Sequence, residues 1–101
     1  MELKALTEKI ETVSKNYARK FHIRRDGNWY VLKLQEEMGE LIQSYLIAAG
    51  RGRQKNRRLA SHKKNFEEEV ADVFCHVLLL AKHKRINLEK AIGKKWLKWA
   101  K

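Results

Sequence analysis

The sequence predicts an all-α protein of four helices in a single domain, residues 1–101. Two observations predict it. The chain contains no proline and only five glycines, so it has few residues that interrupt helices. Apolar residues recur at intervals of three and four over most of its length, which is the period of a helix with one buried face. A domain of this size buries a modest core, and homo-oligomerisation is a common way to complete it.

The first two helices are predicted on either side of a short polar break. Helix 1 runs from about Glu2 to Lys20, and its apolar stripe comprises Leu3, Leu6, Ile10, Val13 and Tyr17. Residues 25–28, Arg-Asp-Gly-Asn, are typical of a turn, and Asn28 is the expected N-cap of the next helix. Helix 2 runs from about Trp29 to Ala49 and ends at Gly50.

The second half of the chain predicts two more helices after a basic loop. The loop, residues 50–60, carries five arginines and lysines between Arg51 and Arg58. It is open to three interpretations: a solvated segment, a nucleic-acid contact, or a loop that reaches over a site to bind triphosphate, which we favour. Helix 3 begins between Ser61 and Asn65 and reaches about Lys84. Asn87 is the expected N-cap of helix 4, from Leu88 to about Trp99.

Charge and composition restrict the classes of partner and compartment. The net charge of +11 implies an anionic partner, such as nucleic acid, phosphate groups or a membrane surface. Cys75 is the single cysteine and is expected to be a reduced, buried thiol. The first eleven residues lack the apolar run of a signal peptide, and the longest apolar run, residues 77–81, is too short to cross a bilayer. We therefore expect a cytoplasmic protein without a membrane partner.

Acidic residues cluster on two of the predicted helices. Seven of the twelve acids fall in two groups: Glu36, Glu37 and Glu40 on helix 2, and Glu67, Glu68, Glu69 and Asp72 on helix 3. Positions i and i+3 share a helix face, so Glu37 lies with Glu40 and Glu69 lies with Asp72. If the two helices pack antiparallel, the pairs face each other and repel unless a cation lies between them. Oxygen ligands in that number suit Mg²⁺, Mn²⁺ or Ca²⁺.

Other interpretations of these acids differ in how well they fit. Acidic side chains on helices are commonly solvated surface, but these lie among apolar residues such as Met38 and Val73. A di-iron carboxylate site requires Glu-x-x-His, and neither His76 nor His83 has a glutamate three residues earlier. One cysteine and four scattered histidines lack the spacing of a zinc site. The pattern favours a site for a hard cation and does not identify its chemistry.

The same residues carry a resemblance to a known family. Residues 33–41, Lys-Leu-Gln-Glu-Glu-Met-Gly-Glu-Leu, followed by residues 69–73, Glu-Val-Ala-Asp-Val, resemble the E-E-x-x-E and E-x-x-D motifs of MazG-like, all-α nucleoside triphosphate pyrophosphohydrolases. Residues 86–88, Ile-Asn-Leu, and Lys95 match a later turn and lysine of that family. The resemblance covers residues 32–98, and it departs from the family at Trp99, where relatives often have asparagine.

The resemblance implies a four-helix bundle, completed in a homodimer or homotetramer, that hydrolyses nucleoside or deoxynucleoside triphosphates. The products are the nucleoside monophosphate and pyrophosphate, the cofactor is Mg²⁺ with Mn²⁺ as a substitute, and the role is nucleotide-pool house-cleaning. The implied metal ligands are Glu37, Glu40, Glu69 and Asp72, the catalytic residues Glu36 and Glu37, and the substrate-binding residues Lys95, His76 and Lys33. Trp29 precedes the acidic helix and is a further candidate, for stacking on a base. The structural alternatives are a core or interface position for Trp29 and a hydrogen bond from His76 to Asp72, four residues earlier. The alternative is a basic helical module that binds nucleic acid without catalysis.

Overall fold

The computed structural model describes residues 1–50 and 59–100, and in the third helix it describes side chains from Lys64 onward. These residues form four α-helices and a short 3₁₀ helix, with no strand among them. The α-helices are α1, Leu3–Lys20; α2, Gly27–Ala48; α3, Leu59–His83; and α4, Leu88–Lys95, which is followed by the 3₁₀ helix η1, Leu97–Trp99. The predicted all-α class is confirmed.

The helix starts follow the expected capping chemistry, with two corrections. The Asn87 side chain accepts a hydrogen bond from the Lys90 backbone N–H at 3.0 Å, which confirms it as the N-cap of α4. At α2 the predicted cap, Asn28, is wrong, because Asp26 accepts from the Trp29 N–H at 2.9 Å and the helix begins at Gly27. Helix α3 begins at Leu59, earlier than predicted, and residues 59–64 contain no glycine or proline that would interrupt a helix.

Two helices end in a way that the sequence does not signal. His22 and Arg85 have left-handed backbones, with φ of 56° and 58°. Beyond them, the Ile23 N–H donates to Ala18 O, and the Ile86 N–H donates to Ala81 O, both at 2.8 Å. This hydrogen-bond pattern commonly ends a helix at a glycine in the left-handed conformation. Here His22 and Arg85 occupy the position of the glycine.

Helices α2 and α3 pack antiparallel and form the main body of the protein. The Tyr30 ring stacks on His83 with centroids 4.5 Å apart, and the Tyr45 ring lies 5.6 Å from Phe66, so the pairing runs in opposite directions along the two helices. The core is small, and its buried apolar residues are Ala18, Tyr30, Leu78, Leu79 and Ala81. It lies where α1, the start of α2 and the second half of α3 meet.

Helix α1 is joined to this body largely through ion pairs. The Arg25 guanidinium donates to both carboxylate oxygens of Glu11, at 2.7 and 3.2 Å, and to the Ser14 hydroxyl oxygen at 3.1 Å. The Lys82 ammonium donates to Glu8 at 2.7 Å. These contacts hold α1 beside α3 while leaving Val13 68% exposed, so the predicted apolar stripe is only partly buried.

Two groups of large apolar side chains are exposed, in addition to separate exposed residues such as Val13 and Leu32. One is an apolar flank of the α2–α3 pair, formed by Val31, Met38, Ile42, Tyr45, Val70 and Phe74. The other is the C-terminal arm, residues 88–99, where α4 packs chiefly against η1 and Trp96, Leu97 and Trp99 are exposed. Among the described residues, no helix has the combination of length and apolarity needed to span a bilayer.

Candidate acidic metal site

Three of the predicted metal ligands converge where α2 faces α3. Glu37 and Glu40, one turn apart on α2, and Glu69 on α3 each place a carboxylate oxygen within 4.8 Å of the other two. The arrangement follows from the i, i+3 spacing on α2 and from the antiparallel packing of the two helices. We refer to these three residues as the acidic cluster.

Glu37 is the most enclosed member of the cluster. It is 9% exposed and is the one charged residue in the described core. Burial, a hydrogen bond shared with Glu40 and the negative charges of Glu40, Asp72 and Glu69 together raise the pKa of Glu37 to about 7. Burial and neighbouring acids also raise the pKa of Glu69. In both residues Oε2 is buried without a hydrogen-bond partner among the described residues, so each has an oxygen available to a ligand.

The other two acids of the motifs lie at different distances from this cluster. Asp72 is exposed, yet its charge contributes to the raised pKa values of Glu37 and Glu69, so it lies in their vicinity. Glu36 is not a member of the cluster, and its carboxylate lies 3.4 Å from the Lys33 ammonium with more than half of the side chain exposed. The structure therefore brings together three of the four predicted ligands, with Asp72 beside them.

His76 lies against the cluster from the α3 side. Its Nε2 is 3.9 Å from Glu37 Oε1, and its Nδ1 is buried without a hydrogen-bond partner among the described residues. Burial, assisted by the charge of Lys33, lowers the pKa of His76, which favours the neutral imidazole at neutral pH. The centroid of the Trp29 ring lies 6.3 Å from that of the imidazole in an edge-on arrangement, so His76 has Glu37 on one side and Trp29 on another.

A groove of about 520 Å³ opens beside the cluster, between α1, α2 and α3. Five residues predicted to form the site line it: Trp29, Lys33, Glu37, Asp72 and His76. The wall contributed by α1 was missed by sequence reasoning, and it comprises Lys9, Ile10, Val13, Ser14 and Tyr17. The helical stripe on α1 contained a signal for this wall, but periodicity does not distinguish side chains that face a groove from those that face a core.

One predicted contributor, Lys95, does not line the groove within one copy of the chain. Lys95 is exposed on α4 and is not among the lining residues of this groove. The basic loop from Arg51 to Arg58, expected to bind triphosphate, lies outside the described residues. Cys75 was predicted to be a buried thiol, and the structure shows it half-buried in the wall of the groove. Burial raises the pKa of its thiol.

The donor atoms that the acidic cluster offers are carboxylate oxygens. No lysine or arginine among the described residues forms an ion pair with Glu37, Glu40 or Glu69. Carboxylate oxygens in this number suit Mg²⁺, Mn²⁺ or Ca²⁺ better than zinc, which prefers histidine and cysteine ligands. Comparison of the chain with protein-family models, curated proteins and solved structures found no match.

Proposed function

We propose that the protein is a MazG-like nucleoside triphosphate pyrophosphohydrolase that uses Mg²⁺, with Mn²⁺ as a substitute. It would cleave nucleoside or deoxynucleoside triphosphates to the monophosphate and pyrophosphate, as a house-cleaning enzyme of the cytoplasmic nucleotide pool. The observation that carries the proposal is the convergence of Glu37, Glu40 and Glu69, from both acidic motifs. Glu37 and Glu69 each have a buried carboxylate oxygen that lacks a partner among the described residues, and Glu40 is exposed.

A divalent cation fits the electrostatics of this cluster. The raised pKa values of Glu37 and Glu69 reflect burial and repulsion among acids, and a cation held by Glu37, Glu40, Glu69 and Asp72 would relieve that repulsion. When bound, Mg²⁺ supplies charge neutralisation of the triphosphate and polarisation of its phosphoryl oxygens. A single cation of this kind would let a polyanionic substrate approach an otherwise acidic surface.

The chain's own residues supply the remaining functions. Lys33 lines the groove one turn before Glu37 and provides a positive charge for phosphate oxygens. Neutral His76 provides a hydrogen bond beside Glu37. Glu36 and Glu37 are the carboxylates proposed to accept the proton of the water that attacks the α-phosphorus, with pyrophosphate as the leaving group.

A second copy of the chain completes this proposal. At about 100° per residue, Met38 and Tyr45 lie on one side of Glu37 around α2, whereas Trp29 and Lys33 lie on the groove side. The apolar flank therefore faces away from the groove and is free to pack against the same flank of another copy, as a homodimer or half of a homotetramer. A neighbouring copy is also the proposed source of the phosphate contact from Lys95.

The oligomer is tested by a charge placed on the apolar flank. Ile42→Glu is expected to weaken self-association by more than about 100-fold, because an unpaired carboxylate would be buried in the interface. Leu32→Glu, also exposed on α2 but outside the flank, is the matched control and is expected to leave the assembly intact. Light scattering after size-exclusion chromatography measures the mass, and a wild-type monomer would contradict the proposed assembly.

The activity is tested by pyrophosphate release from a panel of deoxynucleoside and nucleoside triphosphates with Mg²⁺. We expect the monophosphate and pyrophosphate as products, and a loss of at least about 100-fold in rate for Glu40→Gln and for Asp72→Asn. Glu67→Gln, at an exposed position on α3, removes the same charge outside the cluster and is expected to retain activity. Turnover of no nucleotide in the panel, or equal activity in all three variants, would refute the proposal.

A second candidate function is nucleic-acid binding without catalysis, which the C-terminal arm favours. Lys90, Lys94 and Lys98 follow one another at intervals of four on α4 and the segment after it, and all three are exposed. A module of this kind would bind DNA or RNA with an affinity that falls steeply with salt and does not require Mg²⁺. Mg²⁺-independent binding, combined with absence of pyrophosphate release, would favour this function over the first.

A further inference from the structure

The C-terminal arm, residues 88–99, exposes apolar side chains to solvent. Helix α4 packs chiefly against η1 rather than against the α2–α3 pair. Ile92, Trp96 and Trp99 recur at intervals of four and three residues, and they are 42%, 66% and 78% exposed. Two tryptophan rings in water leave a large apolar area that a less aqueous partner would cover favourably.

The backbone places these three side chains on one side of the arm. The Trp96 N–H donates to Ile92 O at 2.8 Å, the i, i+4 bond of an α-helix. The Trp99 N–H donates to Trp96 O at 3.0 Å, the i, i+3 bond of a 3₁₀ helix. Residues four apart in the first geometry and three apart in the second lie nearly above one another. The three side chains therefore form a continuous row, which we call the apolar strip.

Lysines occupy the other sides of the arm. Lys90 and Lys94 are each two residues from Ile92, so at about 100° per residue they lie on the opposite side of α4. The Lys98 ammonium lies 5.2 Å from the centroid of the Trp99 ring, so its charge is carried beside the strip. Long basic side chains of this kind keep their charge in water while their stems cover apolar surface. The arm is therefore amphipathic, with basic and apolar sides.

Positive charge continues from the arm onto the end of α3. Residues 82–99 contain seven lysines and arginines and one acid, Glu89. Lys84 and Arg85, just before α4, are exposed. A partner that is complementary to this region has a dense negative surface above an apolar interior.

We infer that the C-terminal arm binds the surface of an anionic lipid bilayer. The apolar strip enters the headgroup layer, and the lysines contact lipid phosphates and carboxylates. Amphipathic helices with lysines on one face and tryptophan on the other lie in the plane of this interface, where tryptophan is favoured. Clusters of about four to eight basic residues on such helices recognise anionic headgroups.

This surface association is independent of the proposed hydrolase, and it requires no helix that spans the bilayer. The expectation of no membrane partner was based on the absence of a long apolar run, and a helix that lies on the surface does not need one. The described helices lack the length and apolarity to span a bilayer, so the arm rests on the membrane rather than crossing it.

The separation of the two sides favours lipid over other occupants of the arm. Proteins that bind single-stranded nucleic acid combine cations and stacking aromatics in one groove, whereas Lys90 and Lys94 lie opposite the apolar strip. A second copy of the arm would bring like charges together, because each arm carries four lysines and one acid. An anionic bilayer is complementary to both sides of the arm.

Vesicle flotation tests this inference with the full chain. Vesicles of phosphatidylcholine mixed with phosphatidylserine are compared with vesicles of phosphatidylcholine alone. We expect binding to the mixed vesicles, and binding at least about 100-fold weaker to phosphatidylcholine, because each of three or more lysines near an anionic surface contributes about fivefold. Absence of binding to the mixed vesicles, or equal binding to both kinds, would overturn the inference.

Insertion of the strip is tested by quenching of its tryptophans. Trp29→Phe leaves Trp96 and Trp99 as the tryptophans of the chain. In mixed vesicles whose acyl chains carry bromine, their emission is expected to be quenched and shifted to shorter wavelength. Bound protein with unquenched emission would show that the strip stays in water, which contradicts the inference.

Substitution of the strip gives the first matched comparison. Trp96→Ser with Trp99→Ser keeps the charge of the arm and is expected to weaken binding to mixed vesicles at least about tenfold, the scale of one buried apolar side chain. Phe21→Ser with Leu32→Ser removes two apolar side chains that are also more than half exposed, outside the arm, and is expected to retain binding. Equal binding by the two double variants would overturn the role of the strip.

Substitution of the lysines gives the second comparison. Lys90→Gln with Lys94→Gln keeps the strip and is expected to weaken binding about 25-fold at moderate salt, about fivefold for each charge. Lys15→Gln with Lys20→Gln removes the same charge from exposed positions of α1 and is expected to retain binding. Equal losses would show that net charge rather than the arm attracts the vesicles. Circular dichroism of all the variants checks that the helices are intact.

The other occupants give different results in the same experiments. Retention of a single-stranded oligonucleotide, without binding to mixed vesicles, would assign the arm to nucleic acid and overturn the inference. A loss of mass in Trp96→Ser with Trp99→Ser, without vesicle binding by the wild-type protein, would assign the strip to a second copy. Pyrophosphate release is measured without vesicles, so failure of the hydrolase and failure of lipid binding are distinguishable.

Discussion

The acids of α1 and the acids of the α2–α3 pair lie in opposite electrostatic environments. On α1, Glu8 and Glu11 each meet a cation at 2.7 Å, and the Arg25 guanidinium lowers the pKa of Glu11. Between α2 and α3, Glu37 meets other acids, and its pKa is raised to about 7. Both arrangements occur in a chain with 23 lysines and arginines and 12 acids, so protein cations are abundant.

The difference separates acids that have cation partners within the fold from acids that we propose bind a ligand. Paired acids on α1 join distant parts of the chain and need no further partner. The acidic cluster costs stability in the folded state, because burial and repulsion both disfavour its charges. A cluster that has no lysine or arginine partner among the described residues, in so basic a chain, is the arrangement expected of a site completed by an external cation.

The largest expected effect comes from neutralising Glu37 in protein freed of divalent cations. A carboxylate with a raised pKa contributes stability that is fully present below pH 4.5 and is lost as pH rises through about 7. Glu37→Gln removes this loss, so the variant is expected to be more stable than wild type at pH 8, by up to about 3 kcal/mol, and to lose that advantage near pH 5. Urea unfolding with a chelator, at a series of pH values, measures the difference.

Glu11→Gln is expected to give the opposite result in the same series. The pKa of Glu11 is lowered, so its contribution is present above pH 4.5 and is lost as pH falls through the folded value. The variant is therefore less stable than wild type at pH 8. Comparing each variant with wild type at the same pH cancels the titration of groups distant from the substituted residue. If both variants changed the free energy of unfolding at pH 8 in the same direction, the contrast between α1 and the acidic cluster would be contradicted.

The next effect in size is the loss of the α1 ion pair. Arg25→Gln leaves Glu11 without its bidentate partner, and the two side chains are only 13% and 23% exposed. We expect a loss of about 2 kcal/mol in unfolding free energy, between the values for exposed and buried pairs. Arg24→Gln, at the exposed neighbouring position, is the control. If Arg24→Gln lowers the unfolding free energy as much as Arg25→Gln does, then the overall positive charge of this segment, and not the Arg25–Glu11 pair, accounts for the loss of stability.

The smallest effect is expected at the exposed pair of α1. Lys82 and Glu8 are bonded at 2.7 Å, but their side chains are 35% and 57% exposed, so solvent and salt screen the interaction. Lys82→Gln is expected to leave the urea midpoint unchanged within error at moderate salt. A clear destabilisation that disappears in high salt would show that this pair, and not only Arg25, determines the position of α1.

Local patterns predicted the helices and much of the acidic cluster. The spacing of Glu37 and Glu40, and the cap at Asn87, depend on neighbours three residues away, and both appear in the structure as expected. The cap of α2 was misassigned because Asp26 and Asn28 both have capping side chains and periodicity does not locate a helix start to within two residues.

Features that depend on distant contacts were not predictable in this way. The contacts of α1 include the pair of Lys82 with Glu8, 74 residues apart, and no local pattern specifies that partner. Consequently Val13 and Tyr17 were assigned to a core stripe, although the structure places them on a groove. The ends of α1 and α3 were predicted to within one residue, but the left-handed backbones of His22 and Arg85 just beyond them were not, because glycine is the usual residue at that position.

The measurement that tests the central claim most directly is Mn²⁺ binding, followed by the electron paramagnetic resonance of the free ion. The account predicts that wild-type protein binds Mn²⁺ without nucleotide, and that Mg²⁺ displaces it. It also predicts that Glu40→Gln with Glu69→Gln weakens binding at least about 100-fold, whereas Glu67→Gln, which removes an exposed charge on the same helix as Glu69, does not. Equal Mn²⁺ affinity in the cluster variant and in Glu67→Gln would contradict the claim that these carboxylates form a cation site.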